Sequence, residues 1–189
     1  MERLKQQILQ AGIVLSDQVL NLDAVINHQI DPELVMEMGK EFAGRFRGEP
    51  ITKVLTIEAS GIPAAMATAY ELRVPMVFAR RKKTLTTDPD ALCERVPSFT
   101  KGMVTDIVIS RKFLTPADRV LIVDDIIANG DAARGLIRIV GKSGARLAGV
   151  GVVVEKTFQS GAAAIREQGI RLESLVRIAG LNGGTIQFL

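Results

Sequence analysis

Val120-Leu121-Ile122-Val123-Asp124-Asp125-Ile126-Ile127-Ala128-Asn129-Gly130-Asp131-Ala132 is the stretch on which the reading turns. Its four leading aliphatic residues describe a strand buried on both faces. Ala128-Asn129-Gly130 then makes a small-residue turn, and Ala133, Leu136, Ile137 and Val140 recur at helical spacing as far as Gly144. A strand that feeds a helix this way is half of a βαβ unit, and open α/β sheets hold ligands outside the carboxyl ends of their strands. Asp124 and Asp125 stand at that end. Two adjacent carboxylates accept hydrogen bonds from a vicinal diol, and their field favours a sugar carbon that turns cationic as a leaving group departs. The N–H groups of Ala128, Asn129, Gly130, Asp131 and Ala132, facing a helix amino terminus, suit a phosphate monoester. Diol and phosphate together describe a ribose 5-phosphate. The carboxylate of Asp131 would repel the phosphate, so it is expected to point outward or cap the helix.

Working outward, Lys53 to Glu58 and Pro75 to Ala79 read as strands, with an Ala-rich helix from about Pro63 to Leu72 between them. Val104 to Ile109 and Val150 to Val154 add two more apolar runs. Strands alternating with helices predict a single α/β domain over residues 1–189, with a mostly parallel sheet flanked by helices. Ahead of it, Leu4, Ile8 and Ala11 mark a short helix stopped by Gly12. Asp31-Pro32 opens a longer helix whose stripe is Val35, Met38, Phe42 and Phe46. From Thr84 to Gly102 the pattern fails around Pro89 and Pro97, which predicts a long loop. The glycines fit neither a Walker A loop nor the dinucleotide fingerprint.

The chain has 189 residues, 24 basic against 21 acidic side chains and a formal charge of +3, which argues against nucleic-acid binding by charge alone. Aromatic residues make up 4% with no Trp, too few for a platform that stacks bases. Cys93 is the only cysteine, so neither an internal disulfide nor a thiolate metal cluster can form. The charged amino terminus does not read as a signal peptide and no run spans a bilayer, so the expected location is the cytoplasm, with no membrane partner.

The segment from Val120 to Ala132 resembles the phosphoribosyl-pyrophosphate (PRPP) signature of the type I phosphoribosyltransferases, and the order of elements from about residue 30 onward is similar to the same family. The wording Asp-Asp-x-x-Ala-Asn-Gly is most similar to the bacterial branch acting on xanthine. The resemblance implies the type I fold, with a small hood from the termini over the base, residues 1–30 contributing, and a flexible lid at 84–102. It implies transfer of ribose 5-phosphate from PRPP to xanthine, with guanine or hypoxanthine as the alternative bases, in a homodimer. Mg²⁺ is expected to arrive on PRPP, satisfied by substrate oxygens and water.

Within that reading, Ala59, Ser60 and Gly61 form the pyrophosphate loop. Arg80-Arg81-Lys82-Lys83 supplies a cation to the leaving group. Alternation puts Arg81 and Lys83 on one face and Arg80 and Lys82 on the other, and Lys82 is favoured. Lys156, ending the Val150–Val154 strand, donates to an exocyclic oxygen and so favours a 6-oxopurine over adenine. Ile126 lies against the base, and in the resembled enzymes Leu20 and Asn27 belong to the hood that covers it. A PRPP-sensing transcriptional regulator is the reading from another class. It would need a recognition domain, and no clear helix-turn-helix precedes Lys53.

Overall fold

The computed structural model describes residues 1–81, 90–98 and 103–189. The elements in chain order are α1 (Glu2–Ala11), β1 (Ile13–Val14), β2 (Leu20–Asn21), a π-helical turn (Asp23–Asn27), α2 (Pro32–Arg45), β3 (Lys53–Ile57), α3 (Ile62–Leu72), β4 (Met76–Ala79), β5 (Leu92–Ser98) and β6 (Met103–Ile109). There follow β7 (Arg119–Ile127), α4 (Asp131–Ser143), β8 (Arg146–Lys156), α5 (Gly161–Glu167), β9 (Leu172–Gly180) and β10 (Gln187–Phe188). Six strands form the central sheet in the order β10-β9-β8-β7-β3-β4, parallel except for β10. The expected α/β architecture with a mostly parallel sheet is what the chain adopts.

Strand β7 is apolar throughout because both of its faces are covered. Leu121 and Val123 join the core under α1, α2 and α3, while Val120 and Ile122 join the core under α4 and α5. Helix α2 starts as its sequence predicts, with the Asp31 carboxylate accepting from the N–H groups of Glu33 and Leu34 ahead of Pro32 at the first turn. Its Phe42 and Phe46 lie on β8 where Gly149 and Gly151 leave room. A Cβ on those glycines would fall 2.6 Å from the Phe46 ring and 2.8 Å from the Phe42 ring. The alternation of Val and Gly in β8 thus serves packing.

Because α3 and α4 cover opposite faces, strand order reverses between β3 and β7. The two strands pair only as far as Leu55 and Ile122, whereas β7 continues beside β8 to Ile127 and Glu155. A fork therefore opens at the carboxyl edge between β3 and β7, the place where doubly wound sheets bind ligands.

Three expectations need correction. Residues 92–98, read as part of a long loop, form β5, which pairs along its whole length with β6. Pro97 is tolerated because this two-stranded ribbon leaves β5 at an edge. Consequently β6 is not a strand of the parallel sheet; a bridge between Arg80 and Val108 ties its backbone to the end of β4, and its Ile107 and Ile109 pack into the core beneath the sheet. The rest of the expected lid, 84–89 and 99–102, lies outside the described residues. Strand β9 is absent from the sequence reading, although Leu172, Ser174, Val176 and Ile178 alternate inward along it.

Candidate active site

Asp124 and Asp125 sit at the fork. Asp124 is 4% exposed and its Oδ1 accepts from the Asp125 N–H at 3.0 Å. Burial pushes the Asp124 carboxyl well above the ordinary carboxylate range and the charge of Asp125 adds to the rise, while Arg81 pulls it back. Burial also raises Asp125, again against the pull of Arg81. Adjacent acids of this kind, Asp124 buried and Asp125 half-buried, with raised pKa values at a sheet fork, mark a candidate functional site.

The turn after β3 closes on the same pair. A Cβ on Gly61 would lie 2.7 Å from Asp124 Oδ1 and 2.3 Å from Thr56 Oγ1, so only glycine lets this loop approach the acids. A cis peptide joins Glu58 and Ala59. Glu58 then fixes the next strand end, its Oε1 accepting from the Arg81 N–H at 2.7 Å and its carbonyl from Arg81 Nε at 3.0 Å. Gly61 thereby lies against Asp124, and Arg81 is held at the start of the Ala59-Ser60-Gly61 turn by Glu58. Of the two described members of the basic run, Arg80 and Arg81, it is Arg81 whose charge reaches both acids. Lys82, favoured from the sequence, lies outside the described residues.

Beyond β7 the chain turns through Ala128, Asn129 and Gly130 into α4. Gly130 takes φ +79°, and a Cβ there would meet Gly161 Cα at 2.9 Å. The Gly161 N–H donates to the Ala128 carbonyl at 3.0 Å, so the start of α5 backs the loop that leads into the amino terminus of α4. The awkward charge of Asp131 is matched, since its Oδ1 accepts from Arg134 Nη2 at 2.7 Å. It makes no side-chain cap of its own helix. Arg134 also lies against the loop, with Nη1 3.1 Å from the place of a Gly130 Cβ. Sequence reasoning passed over Arg134, although its spacing of three from Asp131 on a helix is a pair signal.

Lys156 ends β8 at the same edge, 8% exposed, and burial lowers its ammonium pKa. Its Nζ donates to the Gln18 carbonyl at 2.9 Å, which ties the β1–β2 segment over the carboxyl edge. Leu20 is buried in the core that β1, β2 and α1 share with α2. Asn27 is exposed, with its Nδ2 on Asp23 Oδ1 at 3.2 Å. Ile126 is half-buried against the same core. On the opposite face of β8, Glu155 is 2% exposed and takes a forked pair of 2.7 Å bonds from Arg166, with Ser174 also donating to it. Burial alone would raise this carboxyl; Arg166, Ser174 and Arg177 together hold it below the ordinary range. That network pins the strand end carrying Lys156, and no sequence motif announced it.

No group of three or more His, Cys, Asp or Glu side chains among the described residues could enclose a metal ion. No helix among them is long and apolar enough to cross a membrane.

Residues 29–170 match the family described as phosphoribosyl transferase domain. The chain is 56% identical to the xanthine phosphoribosyltransferase of Moorella thermoacetica over 188 residues, covering 100% of this chain and 96% of that one. It is 52% identical to the xanthine phosphoribosyltransferase of Ectopseudomonas mendocina, covering all of both chains. Among solved structures, the adenine phosphoribosyltransferase of Rhodothermus marinus superposes with a TM-score of 0.72 at 25% identity, covering 94% of this chain and 100% of that one.

Proposed function

Since the chain belongs to the phosphoribosyl transferase family, we propose that it converts xanthine and PRPP to xanthosine 5′-monophosphate and pyrophosphate. The reading is carried by the convergence on one sheet edge of an acid pair with Asp124 buried and Asp125 half-buried, a glycine-closed amide loop and a buried lysine. Its support from relatives is the identity to xanthine phosphoribosyltransferases along the whole chain.

In this mechanism Asp124 and Asp125 accept the two ribose hydroxyls, and the amides of residues 128–132 hold the 5-phosphate. Bond breaking at the anomeric carbon leads, leaving positive charge on the sugar that the acid pair stabilises. Pyrophosphate departs toward Ala59, Ser60, Gly61 and Arg81, with Lys82 next in sequence. The base nitrogen then attacks from the side where Lys156 holds the 6-oxo group, with Leu20, Asn27 and Ile126 around the ring. Most of the rate gain is positioning and preset electrostatics. Mg²⁺ fits as a passenger of PRPP, because the described residues offer no cage for it, and when bound it neutralises charge on the departing pyrophosphate. We place the enzyme in the cytoplasm as a homodimer; the apolar Met66, Tyr70 and Phe78, all exposed on α3 and β4, suit a second copy.

Pyrophosphate release, measured with PRPP, Mg²⁺ and each of xanthine, guanine, hypoxanthine and adenine, tests this reading. Xanthine is expected to give the highest kcat/KM. No turnover with any base would reject the enzyme, and a preference for adenine would reject the role of Lys156.

A further inference from the structure

Gln159 stands three residues beyond Lys156, in the turn between β8 and α5. Its Nε2 donates to Gln18 Oε1 at 3.0 Å, and Lys156 Nζ donates to the Gln18 carbonyl at 2.9 Å, so both side chains meet one residue of the hood. Gln159 Oε1 is buried and has no hydrogen-bond partner. Leaving such an acceptor unpaired is costly, and native proteins seldom do so without a use for it. The same turn runs into Gly161, whose N–H is bonded to Ala128 of the phosphate loop. It therefore touches the hood on one side and the phosphate loop on the other. A base about to join a sugar held at Asp124 and Asp125 lies between those two.

We infer that Gln159 is a specificity-determining residue whose Oε1 accepts the ring N–H next to the carbonyl bound by Lys156. The inference rests on the phosphoribosyltransferase reading above and extends it. A 6-oxopurine presents a carbonyl and an N–H side by side, which an ammonium donor and an amide acceptor match in order. Adenine presents an amine and a bare ring nitrogen, the reverse order. It would leave both protein groups facing their own kind, and sites with buried polar groups reject such ligands by about 10⁴-fold.

The test is steady-state kinetics of pyrophosphate release with xanthine varied at saturating PRPP, for the parent, Gln159→Leu and Gln159→Glu. Glutamate keeps the acceptor oxygen and loses the donor to Gln18; leucine loses both. The KM for xanthine is expected to rise about 10- to 30-fold with leucine and to stay within about threefold with glutamate. The KM for PRPP and kcat should hold near the parent's in both, which also reports an intact fold. An unchanged xanthine KM in Gln159→Leu would overturn the assignment. So would an equal rise in both variants, since the side chain would then only hold the hood. Those two outcomes leave the proposed function standing, whereas a parent that turns over no oxopurine removes both together.

Discussion

Gly161→Ala places one methyl group against the back of the phosphate loop, thirty residues away in sequence. Its Cβ would lie 2.4 Å from the Ala128 carbonyl oxygen, 2.5 Å from Gly130 N and 2.6 Å from Asn129 C. All three are main-chain atoms, so no side-chain rotation relieves the clash. Ordinary contact begins at 3.4 Å, so either the loop or the start of α5 must move by about 1 Å. A shift of that size in a positioning element costs on the order of 10²-fold in rate. We expect kcat/KM for PRPP to fall about 100-fold, against a folding cost of about 1–3 kcal/mol. For a chain this long, each kcal/mol lowers Tm by about 2–4 °C, so the variant stays folded at assay temperature. The assay is pyrophosphate release with PRPP varied at saturating xanthine, alongside Gly141→Ala. Gly141 lies in α4 with nothing within 4 Å of a new Cβ, so that variant should keep the parent's kinetics and gain about 0.5–1 kcal/mol. A folded Gly161→Ala with PRPP kinetics within about twofold of the parent's would refute the idea that this glycine shapes the loop.

Asp124→Asn should lose about 10²–10³-fold in kcat, as expected for losing one of the two preset acid acceptors aimed at the ribose hydroxyls. Its stability should move the other way. The folded chain keeps on Asp124 a proton that the unfolded chain releases, so parental stability falls as pH climbs from the ordinary carboxylate value through the raised one. The Tm advantage of Asp124→Asn should accordingly widen as pH climbs above the ordinary carboxylate value, and a constant difference would contradict the burial argument. Lys156→Ala should raise the KM for xanthine about 10- to 100-fold through loss of a charge-assisted bond, and an unchanged value would misplace the base pocket. Glu155→Gln should cost about 3 kcal/mol by stranding Arg166, read as a Tm fall of about 6–12 °C. Because the Glu155 pKa is lowered in the fold, its contribution is present above the ordinary carboxylate value and is lost as pH drops through the lowered one. The Tm gap should therefore close in acid.

What could be read ahead of the structure was local. The apolar strand, the acid pair, the small-residue turn and α4 are contiguous, so composition and period sufficed to read β7, the turn at Gly130 and α4 in order. Gly61 was legible as a turn residue, but its approach to Asp124 depends on β3 and β7 being neighbours, which is a long-range fact. Arg81 and Lys82 differ by a single position, and face alternation cannot choose between them where a strand ends. The β5–β6 ribbon went unseen because Pro97 reads as a breaker and only its edge position excuses it. The β1–β2 pairing is two residues long on each side, held by contacts to Lys156 and Gln159 more than by any period in its own sequence.

The sheet gives unequal tenure to the two ends of the substrate. On the proposed reading, strands β3, β7 and β8 hold the sugar grip and Lys156 at the edge of the central sheet, while the hood that covers the ring is a short excursion outside that sheet, fastened at a few points. Exchanging residues 13–30 for the matching segment of a relative that uses another oxopurine should thus shift the choice among oxopurines while leaving the handling of PRPP, and the rejection of adenine by Lys156, undisturbed.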